Sequence, residues 1–180
     1  MKLWNVIGFT GHKLPCRGID SCVRHRILCS SDALLHKMSN ELNVALINAD
    51  TVVSLFQVHA AASRALLSVQ NHSMTTNSLH SELVFNLSGT RNVTDSLRRF
   101  GISNQATQVL VCVFDDATAL DTVGIDGVLK PVTSIENHAH LTPEHIQVLK
   151  KHYKIQDLEL QVTTLSDAIV SRIATKNVNK

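Results

Sequence analysis

Gln108-Val-Leu-Val-Cys-Val-Phe114 is the stretch of sequence that decides the fold of this chain. It has the length of a β-strand, and its side chains are apolar without interruption from Val109 to Phe114. A strand that is apolar on both sides is typical of the centre of a sheet whose two faces are covered. The turn-forming residues Asp115 and Asp116 then end it. The stretch therefore predicts a sheet protein with helices packed against it.

The segment just before this strand has the start, the buried side and the end of a short helix. Asn92 is a good N-cap residue, and Asp95 lies near the positive end of the helix dipole. Gly101 stands where a left-handed C-terminal cap is expected. The predicted buried stripe consists of Val93, Leu97 and Phe100.

Two further elements are predicted upstream. Ser54 is the expected N-cap of a helix in which apolar residues recur every three or four positions. These residues are Leu55, Val58, Ala62, Leu66 and Val69. The following stretch, Leu79 to Leu87 (LHSELVFNL), has the length and the alternation of a strand. Its apolar face is predicted to contain Leu83, Phe85 and Leu87.

The N-terminal part has weaker patterns. Residues 1–30 are interrupted by glycine and proline, and an edge strand is predicted from about Val23 to Cys29. Ser31-Asp32 is a helix start, with apolar residues following as far as Leu42. Val44 to Asp50 is a short apolar stretch that ends in turn residues.

Two helices are predicted after the central strand. Thr142-Pro143 starts the first one, with a cap followed by proline at the first position. Thr164 and Asp167 start the last one as a pair that resembles a capping box. Its apolar stripe is widened by Val170 and Ala174. Such a terminal helix lies in a groove of its own protein or contacts a partner, and the residues alone favour the groove.

Composition narrows the class of protein. The chain has 180 residues, of which 44% are hydrophobic and only 4% aromatic, so we expect one domain over 1–180 with a core of Leu, Val, Ile and Ala. The net charge of +2 is too small for nucleic-acid binding through bulk charge. Such binding requires a local patch, and Arg91, Arg98 and Arg99, with Arg172 and Lys176 elsewhere, are the candidates for one, although a solvated face is the simpler explanation of these residues.

The remaining signals concern location. None of the four cysteines forms the two-residue spacing of a zinc or redox motif. The N-terminus is too short and polar for a secretory signal, and no apolar run has the length of a membrane span. We therefore expect an intracellular, reduced protein that does not contact a membrane.

Catalytic motifs are missing from the sequence. It contains no phosphate-binding loop, no dinucleotide-binding glycine pattern and no nucleophile elbow, and Cys112 is expected to be buried and inert. One alternative is a small metal-dependent hydrolase that uses His138, His140 and His145, but a fourth ligand is not obvious. These histidines are more simply explained as exposed loop residues, and we predict no metal and no cofactor.

Several longer motifs carry a resemblance to a known family. Ser81-Glu-Leu-Val-Phe-Asn-Leu-Ser-Gly89 and then Asn92-Val-Thr-Asp-Ser-Leu-Arg-Arg-Phe-Gly-Ile-Ser103 resemble the PRPK-binding protein family (TPRKB). Lys151-His-Tyr-Lys-Ile155 and Thr164–Ala174 support the resemblance. It extends from about Ser31 to the C-terminus, whereas residues 1–30 depart from the family pattern. This family supplies the kinase-binding subunit of the KEOPS complex, also called EKC.

The resemblance implies an α/β (α+β) fold with a small mixed sheet, flanking helices and a C-terminal docking helix. It also implies a subunit without enzymatic activity, in the nucleus and cytoplasm, that binds the PRPK-type kinase/ATPase and supports threonylcarbamoyladenosine (t6A) modification of tRNA. Archaeal relatives hold the tRNA CCA end, so tRNA is an expected partner, with Arg98 and Arg99 as first candidates. A stand-alone RNA-binding module is an alternative. The docking residues that the resemblance implies are Leu165, Ala168, Ile169, Arg172 and Ile173.

Overall fold

The computed structural model describes residues 21–27, 44–103, 108–114, 129–130, 135 and 141–176. Its four strands are β1 (Ser21–Ile27), β2 (Val44–Asn48), β3 (Gln108–Phe114) and β4 (Leu129–Lys130). Its helices are α1 (Leu55–Gln70), α2 (Leu79–Leu87), α3 (Val93–Phe100), α4 (Pro143–Tyr153) and α5 (Leu165–Thr175). Short 3-10 turns cover Ala49–Thr51 and Glu159–Gln161. The predicted α/β fold class is confirmed.

The sheet has the strand order β2-β3-β1-β4, and each described pair of neighbours is antiparallel. Val111 of β3 lies opposite Leu46 of β2 on one side and Arg24 of β1 on the other. Four consecutive residues of β3, Val109–Cys112, are buried, so both faces of this strand are covered. The prediction of a central strand is confirmed. The prediction of an edge strand near Val23 was wrong in its position, because β1 lies between β3 and β4.

Helix α1 forms as predicted, except that Val69 of its predicted apolar stripe is 40% exposed. The Ser54 hydroxyl caps its first turn by accepting a hydrogen bond from the Gln57 backbone N–H. Small alanines on the buried side, Ala61 and Ala65 among them, permit close approach of the neighbouring helices. Helix α1 contacts α2 and α5, and this group of helices encloses a core with Ile47 and Leu110 of the sheet.

The strand predicted from Leu79 to Leu87 is helix α2 instead. Ser78 caps it, because its hydroxyl accepts a hydrogen bond from the Ser81 N–H at 3.1 Å. Six consecutive residues of α2, from Glu82 to Leu87, are buried. A short helix that is buried all round has no 3.6-residue periodicity in its apolar residues, so its sequence does not differ from that of a buried strand. The buried Glu82 is satisfied within the protein, since its carboxylate accepts hydrogen bonds from Thr75 and Thr76.

The short helix before β3 is confirmed, with two corrections. Asn92 caps α3 by accepting a hydrogen bond from the Asp95 N–H at 3.1 Å. Leu97 is 36% exposed and is not part of a buried stripe, which Phe100 occupies. Gly101 has extended backbone angles (φ −72°, ψ −178°), so the predicted left-handed cap is wrong. Glycine is required there for another reason, because a Cβ atom would collide with the Leu97 carbonyl oxygen.

Both predicted helix starts near the C-terminus are confirmed. The Thr142 hydroxyl accepts a hydrogen bond from the His145 N–H, and Pro143 occupies the first helical position of α4. The Thr164 hydroxyl accepts a hydrogen bond from the Asp167 N–H at the start of α5. Other predictions lie outside the described residues: the helix start at Ser31-Asp32, and the turn at Asp115-Asp116.

Candidate functional site

The last helix contributes most of its apolar residues to the core of its own chain. Ala168, Ile169 and Ile173 are buried, and Leu165 packs against the same core. Arg172 forms an ion pair with Glu159, at 2.7 Å between Nη2 and Oε2. Three of the five predicted docking residues are therefore enclosed by the protein itself. That α5 binds a partner stays a prediction, and the structure leaves the opposite side of the helix available for it.

Helices α1 and α5 lie side by side and run in the same direction. The hydroxyls of Ser54 and Ser166, at the start of the two helices, are hydrogen-bonded at 2.7 Å. Near the other end, Arg64 Nη1 donates to the Ala174 carbonyl oxygen at 2.6 Å. Two polar contacts, one at each end, thus hold the pair parallel, and the outward sides of both helices form one surface.

This outward surface carries few charges: Arg64 crosses between the two helices to the Ala174 carbonyl oxygen, and Asp167 lies one turn before Val170 and Ser171. Phe56 is 51% exposed and Leu67 is 50% exposed, and their separation of eleven residues is three helical turns, which places them on one line. We call this surface the α1–α5 face, with α1 supplying Phe56, Ala60, Ser63 and Leu67 and α5 supplying Val170, Ser171 and Ala174. Exposed helix faces normally carry charged residues, and an exposed apolar patch with a polar surround marks an interaction site.

Sequence reasoning missed the α1 half of this surface. The signal was present, because Phe56 and Leu67 are large apolar residues that fall off the buried stripe of their own helix. On α5, in contrast, the exposed side carries only small or polar residues, among them Ser171 and Ala174.

The three arginines of the predicted RNA-binding patch do not form one cluster. Arg98 Nη2 and Arg99 Nε lie 2.7 and 2.9 Å from Asp95 Oδ1 on the surface of α3. Their hydrogen bonds, that of Arg98 first, lower the pKa of Asp95, so the carboxylate stays charged and offsets part of the local positive charge. Arg91 lies apart from them, with Nε and Nη2 donating to the Lys176 carbonyl oxygen at 3.4 and 3.3 Å.

A cleft of about 340 Å³ lies next to Arg99. It is lined by residues of α3, α4 and the turn after β2: Asn48, Asp50, Thr51, Arg99, Phe100, Ser103, His145, Val148, Leu149 and His152. Burial and then the nearby Arg99 lower the pKa of His152, so this imidazole is neutral at pH 7. The cleft therefore offers apolar walls and hydrogen-bonding groups, with Arg99 and the acidic Asp50 both in its lining.

Tyr153 joins the helix that borders this cleft to the rest of the core. Its hydroxyl donates to the Leu87 carbonyl oxygen and accepts a hydrogen bond from Gln57 Nε2 at 3.2 Å. Burial raises the pKa of this hydroxyl, so it stays protonated and available as a donor. One side chain thereby links α4 to both α1 and α2 and positions the cleft relative to the α1–α5 face.

Of the three histidines in the metal hypothesis, the structure describes His145. His145 has a structural role, since its Nδ1 accepts a hydrogen bond from the Thr142 N–H and completes the cap of α4. His138 and His140 lie outside the described residues. Within those residues there is no group of three His, Cys, Asp or Glu side chains that could hold a metal ion. The metal site at these histidines stays a hypothesis.

The described part of the chain contains no helix that is both long and apolar enough to cross a membrane. Cys112 is buried within β3, as the sequence predicts.

The family model and the similar proteins indicate the same family for this chain. The model of the family described as "Kinase binding protein CGI-121" matches residues 25–177, so the match begins within β1, earlier than Ser31. The EKC/KEOPS complex subunit TPRKB of Danio rerio is 36% identical over 148 residues, which are 80% of this chain and 83% of that protein.

Two fungal proteins named EKC/KEOPS complex subunit CGI121 are also similar. The Yarrowia lipolytica protein is 36% identical over 115 residues, 64% of this chain and 65% of its own length. The Kluyveromyces lactis protein is 32% identical over 117 residues, 63% of this chain and 74% of its own length. The family match covers most of the chain and agrees with these relatives, and the chain therefore belongs to the kinase binding protein CGI-121 family.

Proposed function

We propose that this chain is a non-catalytic subunit of an EKC/KEOPS complex and that it binds the PRPK-type kinase/ATPase subunit through the α1–α5 face. The observation that carries the proposal is the pair of exposed apolar side chains, Phe56 and Leu67, on one side of α1 beside the parallel helix α5. The family is described as kinase-binding, and the relatives carry the name of the complex. A surface for binding, rather than a catalytic centre, is what such a subunit requires.

The composition of the face fits the centre of a protein interface. Such centres are depleted in charged residues and enriched in aromatic side chains, whereas their rims are polar. Phe56 is the aromatic anchor, and the small residues Ala60, Ser63 and Ala174 leave room for a partner's side chains beside it. Arg64, which donates to the Ala174 carbonyl oxygen, and Asp167, in the first turn of α5, are charged residues beside these apolar side chains.

Affinity purification from cells tests the assembly. The tagged chain is isolated from nuclear and from cytosolic extracts, the two locations in which we expect it, and the bound proteins are identified by mass spectrometry. We expect a small kinase-like protein and other EKC/KEOPS subunits in stoichiometric amounts. The proposal would be contradicted if the extract contained the kinase subunit but no kinase-like protein were purified with the chain.

A second candidate function is to hold the single-stranded end of a tRNA and so support t6A formation. Two exposed arginines favour it, since Arg98 and Arg99 keep 71% and 48% of their side chains exposed. Arg99 also lines the cleft, where the neutral His152 offers a hydrogen-bonding group for a base. Arg91 is held at the end of α5 and is not part of this candidate site.

The salt dependence of tRNA binding tests this second function. Replacing Arg98 and Arg99 by alanine removes two phosphate contacts, and each contact to a single strand contributes about 0.7 to the slope of log K against log salt. We therefore expect weaker binding and a slope smaller in magnitude by about 1.4. Filter binding or fluorescence anisotropy between 50 and 200 mM salt, about the range where such slopes are measured, gives both quantities.

The matched control removes two exposed lysines, with Lys151→Ala and Lys154→Ala at the end of α4. This variant is expected to retain the wild-type slope. An equal loss in both double variants would mean that the chain binds tRNA through general positive charge, and the candidate site would then be wrong.

A further inference from the structure

The residue that follows α5 is a lysine with a buried ammonium group. Lys176 is 6% exposed, and its Nζ lies 3.3 Å from the centre of the Phe85 ring. The same Nζ donates to the Phe85 carbonyl oxygen and, at 3.4 Å, to the Ser88 hydroxyl. Phe85 is in the last turn of α2, and its carbonyl oxygen also accepts hydrogen bonds from the Ser88 N–H and the Ser88 hydroxyl. Lys176 thereby attaches the end of α5 to the end of α2.

Two arginines also hold the end of α5, by donating hydrogen bonds to its backbone carbonyl oxygens. Arg64 of α1 donates to the Ala174 carbonyl oxygen, and Arg91 donates to the Lys176 carbonyl oxygen. Both acceptors belong to the end of α5, whose last carbonyl groups have no helical partner. We call these three residues, Arg64, Arg91 and Lys176, the α5 latch. They are contributed by α1, by the turn after α2 and by the residue after α5.

The charged groups around Lys176 influence its pKa. Glu82 of α2 favours the charged form, whereas Arg64 of α1 disfavours it. Arg91 contacts the Lys176 carbonyl oxygen. His152 of α4 is close enough to Lys176 that the lysine charge contributes to lowering the pKa of His152. Burial outweighs Glu82 and lowers the pKa of Lys176 to about 7, so the ammonium is partly neutral at physiological pH.

We propose that Lys176 makes the α5 latch pH-dependent. By holding the end of α5 in place, the latch regulates the α1–α5 face. The latch closes beside Ala174 and Arg64, at the end of the helix pair where Leu67 is exposed. When the latch opens, Lys176 returns to water and the end of α5 loses its attachment to α2. The partner then meets an incomplete surface, and its apparent affinity falls with the fraction of closed molecules.

The direction of the pH effect follows from proton linkage. In the open or unfolded chain the lysine binds its proton below its ordinary pKa of 10.5, whereas in the closed state it does so only below about 7. The open state therefore holds more protons between pH 7 and 10.5, so the closed state gains stability as the pH rises through this window. Below pH 7 both states are protonated, and this contribution stays constant.

The first test uses the free protein and does not depend on the proposed function. Unfolding by urea is measured at pH 7 and pH 9 for the wild type and for Lys176→Met, which removes the charge at similar volume. For the wild type, the Lys176 contribution makes the unfolding constant about fiftyfold larger at pH 7 than at pH 9. The variant lacks this contribution and keeps only the pH dependence of the other groups. Equal pH dependence in the two proteins would overturn the proposal.

A direct titration keeps the test valid even if Lys176→Met folds poorly. Selective isotope labelling of lysine permits the Nζ of Lys176 to be followed by NMR in the wild-type protein. We expect one lysine to titrate more than about two pH units below the others, as a buried ammonium does. Titration of all lysines near their ordinary pKa would show that Nζ is solvated, and the latch would be wrong.

The regulatory role rests on the proposed function and needs the kinase subunit. We expect the wild type to gain several-fold more affinity for it between pH 7 and pH 8.5 than Lys176→Met gains, since the variant keeps only the pH dependence of the other groups. Identical pH profiles for the two proteins would overturn the regulatory role. If neither protein binds the kinase at either pH, the proposed function and the regulation fail together, whereas the two free-protein measurements still decide whether the lysine latch exists.

Discussion

Ile169→Glu is expected to unfold the protein or to leave it barely stable. Ile169 is 0% exposed and belongs to the core that α1, α2 and α5 share with the sheet. A carboxylate at this position replaces an apolar side chain of the hydrophobic core. Burying an unpaired charge costs several kcal/mol, and protonating it instead still leaves a polar group in a cavity shaped for isoleucine. This loss is comparable with the whole stability of an ordinary domain, about 5–15 kcal/mol.

Circular dichroism and urea denaturation measure this effect, and the same helix supplies the control. Ser171→Glu places the same side chain on the exposed side of α5. Exposed substitutions usually change stability by less than about 0.5 kcal/mol, so this variant is expected to fold like the wild type. A folded Ile169→Glu protein with near-wild-type stability would contradict the division of α5 into a buried and an exposed side.

The second large effect is expected on kinase binding. The double variant Phe56→Glu, Leu67→Lys places charges on two exposed apolar positions of the α1–α5 face. Each central anchor of an interface commonly contributes about 2 kcal/mol or more, so the dissociation constant is expected to rise at least about a hundredfold. Glutamate near the start of α1 and lysine near its end both complement the helix dipole, so the helix itself is not weakened.

A matched substitution separates the face from general surface effects. Val148 is an apolar residue of α4 that is 62% exposed and lies at the cleft, away from the α1–α5 face. We expect Val148→Lys to bind the kinase subunit like the wild type in isothermal titration calorimetry. If Val148→Lys lost binding while the α1 double variant bound normally, the docking site would lie on α4 and not on the α1–α5 face.

The sequence predicts those elements whose local signals do not depend on their neighbours. β3 was predictable because a continuous apolar run of strand length bounded by aspartates has few other interpretations. The caps at Ser54, Asn92, Thr142 and Thr164 were predictable because a side-chain oxygen at a helix start satisfies a free backbone N–H. Helix α2 was missed because complete burial removed the periodicity that distinguishes a helix from a strand.

The division of α5 between core and surface could not be predicted, because it depends on which elements pack beside the helix. Its apolar stripe identifies the buried side only once α1 is known to run parallel to it. Likewise, the close approach of Gly101 to the Leu97 carbonyl is a three-dimensional contact, and sequence position alone suggested a left-handed cap. The family, in contrast, was recognisable from motifs such as Ser81–Gly89, and the family match confirms it.

Site-specific photo-crosslinking is the measurement that tests the docking claim most directly. A benzophenone amino acid replaces Phe56 in one protein and Val148 in another, and each is irradiated in the presence of the kinase subunit. We predict a crosslink to the kinase from position 56 and none from position 148, since only the first lies on the α1–α5 face. A crosslink from position 148 and none from position 56 would contradict the account.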